Sequence, residues 1–361
     1  MANDSGLEGV IVADTELSSV DGEAGRLVLR GCSLEEVAGV RRFGELAGLL
    51  WTGRWPAPGS IARTLGEGRA WVWARRSRWW PALDAADGMD ALRAGLARLD
   101  EDATDPVEQG ARLAGAVAVI GAAWGLARRG SEPLAPDASA DHAADLLRMA
   151  RGRDASPDEA DALDRYLVTV IDHGLNASTF AARVVTSTGS DAVSALVAAI
   201  GALKGPLHGG APGPVLDMLD AIGRAERAPA WLRGELDAGR RIMGMGHRVY
   251  RARDPRAAVL EKAVEALDRH GGERLALARS VEREAEAILR ERHPVRALRC
   301  NVEFYTAILL EALGLDRAQL TPTFAAGRAA GWWGHVLEQR ARGRLIRPSA
   351  RYVGPLVAAP G

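Results

Sequence analysis

The run Gly244-Met245-Gly246-His247-Arg248-Val249-Tyr250-Arg251-Ala252-Arg253-Asp254-Pro255-Arg256 sets one imidazole and four arginines beside two glycines, then opens a helix at Asp254-Pro255. Arginine forks suit the carboxylates of an anion, and a placed imidazole suits a carbonyl that must be polarised. A second histidine stands in Gly205-Pro206-Leu207-His208-Gly209-Gly210. Glycines there let ring and backbone approach a ligand closely. A carboxylate lies in Asn301-Val302-Glu303-Phe304-Tyr305. Two histidines and an acid, each at a loop–helix junction, are the groups needed for carbon-acid chemistry on a carbonyl substrate. Each has a plainer reading too. His208 could cap a helix, His247 could belong to a solvated basic loop, and Glu303 could simply complement a helix dipole. His173, in Asp172-His173-Gly174-Leu175-Asn176, could be core or ligand. Arg328 and Arg347 are ordinary in isolation, and His335, beside Trp332 and Trp333, reads as structural.

Other chemistries lack the required spacing. The seven histidines are spread singly, with no HExxH and no His/Cys pair at metal-ligand spacing, so no metal site is expected. No GxGxxG follows a strand and no GxxxxGK[ST] occurs, so a nucleotide loop has no support. The run Trp71-Val72-Trp73-Ala74-Arg75-Arg76-Ser77-Arg78-Trp79-Trp80 could stack single-stranded nucleic acid. A helix packed through its tryptophans with arginines at the rim is the favoured reading, because the chain is not basic overall.

The elements that position these groups are mostly helices. Val10-Ile11-Val12 and Leu27-Val28-Leu29, on either side of an Asp21-Gly22 turn signal, predict a small β-hairpin. Residues 43–50, the alanine-rich stretch 110–127 and residues 191–203 predict helices, with loops at 130–141 and 152–158. Asp254 as N-cap and Pro255 at the first position start a helix that Gly271-Gly272 should end. Asn301 caps the next helix, and a last helix is expected from about Gly327 to Arg342, stopped by Gly343.

The chain has 361 residues, 47% hydrophobic and 26% charged, with a net charge of -1. That is ordinary for a soluble globular protein, and no global field draws it to nucleic acid or a membrane surface. Lysine occurs only at positions 204 and 262, and the two cysteines, Cys32 and Cys300, form no CxxC. A disulfide framework is therefore not expected. Residues 1–9 have neither a basic start nor an apolar run, and no apolar run approaches a membrane span. A cytoplasmic protein is the expectation.

Taken together and in order, these motifs resemble the citrate synthase family in its short bacterial form, with 2-methylcitrate synthases as near relatives. The resemblance begins at Gly6-Leu7-Glu8-Gly9-Val10 and Arg26-Leu27-Val28-Leu29-Arg30-Gly31. It takes in Asp172 to Thr179, Gly205 to Gly210, the Gly-His-Arg-Val-Tyr loop with Asp254-Pro255-Arg256, Asn301 to Tyr305 and Gly327-Arg328, and ends at Arg347-Pro348-Ser349-Ala350 with Tyr352. It implies a mainly α fold in two domains with a minor N-terminal hairpin. A large helical domain (1–210 and 317–361) would carry a small helical one (211–316) that closes over a cleft. It implies a homodimer that condenses acetyl-CoA with oxaloacetate and needs no cofactor beyond the acyl-CoA co-substrate. By the same resemblance His208 would stabilise the enol of acetyl-CoA. Glu303 would abstract its proton, standing where most members have Asp. His247 would polarise the oxaloacetate carbonyl. His173, Arg256 and Arg328 would bind oxaloacetate, with Arg347 reaching in from the partner subunit, and Arg251 would meet a coenzyme A phosphate. Two alternatives remain open: a 2-methylcitrate synthase using propionyl-CoA, and a non-catalytic paralogue that binds oxaloacetate or acyl-CoA.

Overall fold

Helix Pro106–Arg128 forms the centre of the structure, a computed structural model that describes residues 6–7, 9–209, 212–268 and 272–355. Asp105 caps it, its Oδ1 accepting from the backbone N–H groups of Val107 (2.9 Å) and Glu108 (2.8 Å), and Pro106 occupies a position that needs no N–H donor. Small residues let a neighbour come close. A Cβ on Gly68 would sit 2.4 Å from the Ala111 carbonyl oxygen, and one on Gly115 2.9 Å from the Arg69 nitrogen, so helix Ser60–Ala74 crosses it backbone to backbone. Helices Gly88–Leu96, His142–Arg151 and Leu320–Arg342 also pack against it. By length and composition this helix could cross a membrane, which corrects the expectation that no run approaches a span. Yet 89% of its most apolar window is buried inside the fold, so its apolarity serves the core.

The fold is mainly α with one three-stranded antiparallel sheet. The hairpin exists, but its first strand is Ser18–Asp21, not Val10-Ile11-Val12. Asp21 pairs with Arg26, which leaves only residues 22–25 in the turn, and Asp21 Oδ1 accepts from Ala24 N–H at 2.9 Å. The nearer segment therefore takes the partner strand Arg26–Leu29, and Val10, Ile11 and Val12 remain exposed. Cys32–Ser33 adds a third strand on the other edge.

The other expected helices are present, with shifted ends. Helix Pro157–Val170 begins inside the expected 152–158 loop, where Ser156 and Glu159 form a capping box. Helix Pro255–Leu267 starts at the Asp254 cap and ends before the glycines; Gly271 lies outside the described residues. The last helix is Leu320–Arg342, starting seven residues earlier than Gly327, because Pro322 falls in its first turn, where its missing N–H does no harm. Gly343, in the left-handed region at φ 61°, ends it as expected. The tryptophan run follows the packing reading: Trp79 is fully buried and the Arg75 guanidinium lies 3.9 Å over the Trp71 ring.

Loop 130–141 is pinned by a buried ion pair. Arg69 Nε donates to Asp145 Oδ2 at 2.7 Å, both side chains fully buried, and Arg69 Nη2 donates to the carbonyls of Asp137 (3.0 Å) and Ala140 (2.8 Å). Removing one partner of such a pair costs about 3–5 kcal/mol, since the other charge is stranded.

Candidate active site

The His247 loop is shaped by two glycines. Gly244 and Gly246 hold φ of 73° and 88°, and a Cβ on Gly244 would lie 2.9 Å from Phe304 Cβ. The loop is stitched to residues 299–301: Gly246 N–H donates to the Arg299 carbonyl (2.7 Å), Asn301 N–H to that of Gly244 (3.0 Å), and Asn301 Nδ2 to that of Gly246 (2.8 Å). The side-chain oxygen of Asn301 also accepts from Glu303 N–H at 3.0 Å. One asparagine thus fixes the His247 loop and starts helix Val302–Ala312, which carries Glu303.

The His247 ring has a defined tautomer. Its Nδ1 accepts from the backbone N–H groups of Val249 (3.0 Å) and Tyr250 (3.1 Å), so in the neutral ring the proton sits on Nε2. Burial, and then the nearby Arg256 guanidinium, push its pKa down to about 4, so it is neutral at pH 7. Arg256 Nη2 lies 3.3 Å from Nε2; with Nε2 protonated this is a contact between two donors, not a hydrogen bond, and leaves that N–H for an acceptor. Arg256 is itself buried and clamped by Asp254, with Nε to Oδ1 at 3.0 Å and Nη2 to Oδ2 at 2.7 Å. Burial disfavours its charge, but Asp254 more than offsets that. Asp254 also accepts from Val302 N–H at 3.1 Å, which ties the Glu303 helix to the Arg256 helix.

His173 stands edge-on to His247 with ring centroids 5.4 Å apart, and its Nε2 is 3.2 Å from the Tyr250 hydroxyl. Burial and the Arg256 charge hold it well below the ordinary histidine value. Arg328 is buried on helix Leu320–Arg342. Its Nε donates to the Val170 carbonyl at 2.5 Å, and its guanidinium lies 4.9 Å from the Phe324 ring. Burial lowers its pKa to about 10, which leaves it charged at pH 7, and the Arg256 charge works in the same direction. A dianion between these two buried guanidiniums would relieve their mutual repulsion.

His208 occupies a tight turn in which its N–H donates to the Gly205 carbonyl at 2.9 Å. Its Nε2 is 2.8 Å from Ser178 Oγ and accepts from Ser178 N–H at 3.4 Å, at the N-terminus of helix Ala177–Ser187. With the backbone N–H as a fixed donor, the proton of the neutral ring lies on Nδ1 when the Ser178 hydroxyl turns its own proton from Asn176 Oδ1 (2.8 Å) to Nε2. Burial, then the Arg328 charge, bring this histidine to about 4. Glu303 is the converse case: burial raises its carboxyl to about 7 against the opposing pull of Arg256. Among the described residues its carboxylate makes no hydrogen bond or ion pair, which leaves it open to take up a proton.

His173, His247, Arg256 and Arg328 are thus brought together. His208 joins them through the field of Arg328, and Glu303 through that of Arg256. Arg251 is exposed, its backbone N–H donating to the Gly22 carbonyl (2.9 Å), and its charge also helps lower the His247 pKa. One expected residue is not assembled within the chain. Arg347 is exposed on the C-terminal tail, beside Ile346, whose N–H donates to Ser187 Oγ at 3.0 Å. Sequence reasoning missed three participants. Asp254 carried only a cap signal, Ser178 only its place two residues after the helix cap Asn176, and Tyr250 only its place in the loop. Among the described residues no group of three or more His, Cys, Asp or Glu side chains is placed to hold a metal ion. A separate hollow of about 420 Å³, lined by Arg253, Arg279 and Arg299 with facing glutamates, has these arginines already ion-paired.

Residues 6–349 match the family model described as the C-terminal domain of citrate synthase. The chain belongs to the citrate synthase family. It is 39% identical to the citrate synthase of Haloferax volcanii, covering 97% of this chain and 95% of that one. It is 34% identical to a 2-methylcitrate synthase of Mycobacterium tuberculosis, covering 97% and 90%. Its fold matches the citrate synthase of Thermoplasma acidophilum, solved as a ternary complex with carboxymethyl coenzyme A and oxaloacetate. That match has a TM-score of 0.87 at 28% identity and covers 98% of this chain and 97% of that one. The mainly α expectation and the family resemblance both hold.

Proposed function

We propose that this chain is an enzyme that condenses acetyl-CoA with oxaloacetate and hydrolyses citryl-CoA to citrate and CoA. The observation that carries this reading is a raised carboxyl, Glu303, set with two neutral histidines whose free N–H groups are fixed by the backbone. A thioester methyl is a very weak carbon acid, so a carboxylate alone removes its proton slowly. His208 supplies the missing stabilisation: its Nδ1–H donates to the thioester oxygen as the enolate forms. Glu303 takes the methyl proton. Arg256, Arg328 and His173 hold the oxaloacetate dianion, and His247 Nε2–H polarises its ketone. The enol carbon attacks that ketone, and His247 passes its proton to the new alkoxide. Water then cleaves the citryl thioester, releasing the thiol of CoA. No step needs a metal or a further cofactor.

In this reading residues 211–316 form a small domain that closes over a cleft in the rest of the chain, and Arg251 meets a coenzyme A phosphate. The protein acts as a cytoplasmic homodimer in which Arg347 serves the partner's site. The exposed apolar residues Val10, Ile11, Leu345 and Val353, all near the chain ends, support an interface there. Thiol release from wild type and Glu303→Ala with saturating oxaloacetate tests the chemistry. The variant should lose at least about a hundredfold in kcat, the lower range for a general base. Equal release by both proteins would remove Glu303 as the base.

A further inference from the structure

We propose that Asp172, held by Ser18 and His335, is the positioning residue for the oxaloacetate end of the site; this rests on the reading that His173 and Arg328 bind that substrate. Asp172 is fully buried and immediately precedes His173. Its Oδ2 accepts from the Ser18 hydroxyl and, at 3.3 Å, from Gly174 N–H. Gly174 N–H also donates to Ser18 Oγ at 2.8 Å, while Gly174 itself turns the chain at φ 60°. The peptide that follows His173 is therefore pinned by two oxygens, one of them on strand Ser18–Asp21.

The other carboxylate oxygen, Oδ1, lies 3.1 Å from His335 Nε2. His335 Nδ1 lies 3.0 Å from Arg183 Nη1. A guanidinium only donates, so Nδ1 accepts, and the imidazole proton sits on Nε2, facing Asp172. Arg183 is fixed in turn by Glu338 (2.6 Å) and Gln339 (3.2 Å). The imidazole Nε2–H thus donates to a carboxylate whose pKa stays below the ordinary value although burial pushes it up, because His335, Arg328 and the Ser18 hydroxyl all favour its charged form. His335 and Arg328 are seven residues apart on one helix, two turns, so they share a face. Asp172 is the carboxylate whose field supports the Arg328 charge, yet no hydrogen bond joins the two. The guanidinium keeps its charge and its free N–H groups for substrate.

A network serving stability alone could be replaced by apolar groups at little cost. The placement beside His173 and behind Arg328 predicts something more specific. Steady-state kinetics on wild type, Ser18→Ala, His335→Leu and His335→Gln separates the two roles. A lost hydrogen bond to a charged group corresponds to about a tenfold change or more. KM for oxaloacetate should rise by about that factor in His335→Leu and by a smaller factor in Ser18→Ala, with kcat and the KM for acetyl-CoA nearly unchanged. His335→Gln, whose amide N–H reaches the place of imidazole Nε2, should restore most of the loss. An unchanged oxaloacetate KM in both variants would overturn the proposal. So would parallel shifts in both KM values and kcat, or His335→Gln behaving like His335→Leu. If His335→Leu does not fold, the half-buried Ser18→Ala decides alone. Calorimetric binding of oxaloacetate to wild type checks the underlying reading separately: no binding there sinks that reading, while binding with unaltered variants sinks only this proposal.

Discussion

At the residue scale the site depends on three groups whose pKa values burial displaces. His208 and His247 stay neutral well below pH 6, and Glu303 stays partly protonated near pH 7, each mainly through burial. A base must be ionised to act, so activity should fall as pH drops through the Glu303 value. The profile of kcat/KM should show an acid limb near pH 7 that disappears in variants lacking the carboxyl. Stability runs the other way. The folded Glu303 pKa exceeds the unfolded value, so its ionisation opposes folding as pH rises from about 4.5 to about 7. Glu303→Gln should therefore raise Tm more at pH 8 than at pH 5, and an equal effect at both would contradict a buried, strained carboxylate. The residue types of the site were legible in the sequence, because His247, Arg256 and Glu303 sit in short runs with strong cap and turn signals. Their protonation states were not, since these depend on partners such as Ser178 and Asp254 that only folding brings near.

At the element scale, close helix contacts place the chemistry. A Cβ on Gly331 would stand 2.0 Å from the Ile171 carbonyl oxygen, so helix Leu320–Arg342 lies directly on the end of helix Pro157–Val170 and the Asp172–His173 turn. That contact carries Arg328 to its Val170 acceptor. Gly331→Ala should push the helix outward, cost about 1–3 kcal/mol as overpacking does, and raise KM for oxaloacetate more than KM for acetyl-CoA. Denaturant melts beside kinetics would check both; unchanged stability would mean the helix gives way without strain. Helix existence was readable from caps and periodicity, whereas ends were not. Pro322 looks like a stop but falls in a first turn, and Val10-Ile11-Val12 looks like a strand but loses its partner to a nearer segment.

At the scale of the whole molecule, Arg347 is the residue the single chain leaves outside its own site. In a two-fold dimer an Arg347→Ala subunit would damage only its partner's site, and a His247→Ala subunit only its own. A mixed dimer then has one site bearing both changes and one intact. Co-refolding the two inactive variants in equal amounts should restore about a quarter of wild-type activity. No recovery, in a mixture shown to exchange subunits, would place Arg347 in its own subunit's site or in none. This arrangement could not be read from residue spacing, because exposure on a tail and service across an interface look alike in one chain.

The most direct measurement is thiol release from purified protein with oxaloacetate, with acetyl-CoA and propionyl-CoA compared side by side. One methylene in an apolar pocket is worth about 10–200-fold, so the two condensations are separable by kcat/KM. The citrate-forming reading predicts a higher kcat/KM for acetyl-CoA. Preference for propionyl-CoA would instead assign methylcitrate formation, and absence of release with either, in protein that binds both ligands, would contradict catalysis by this site altogether.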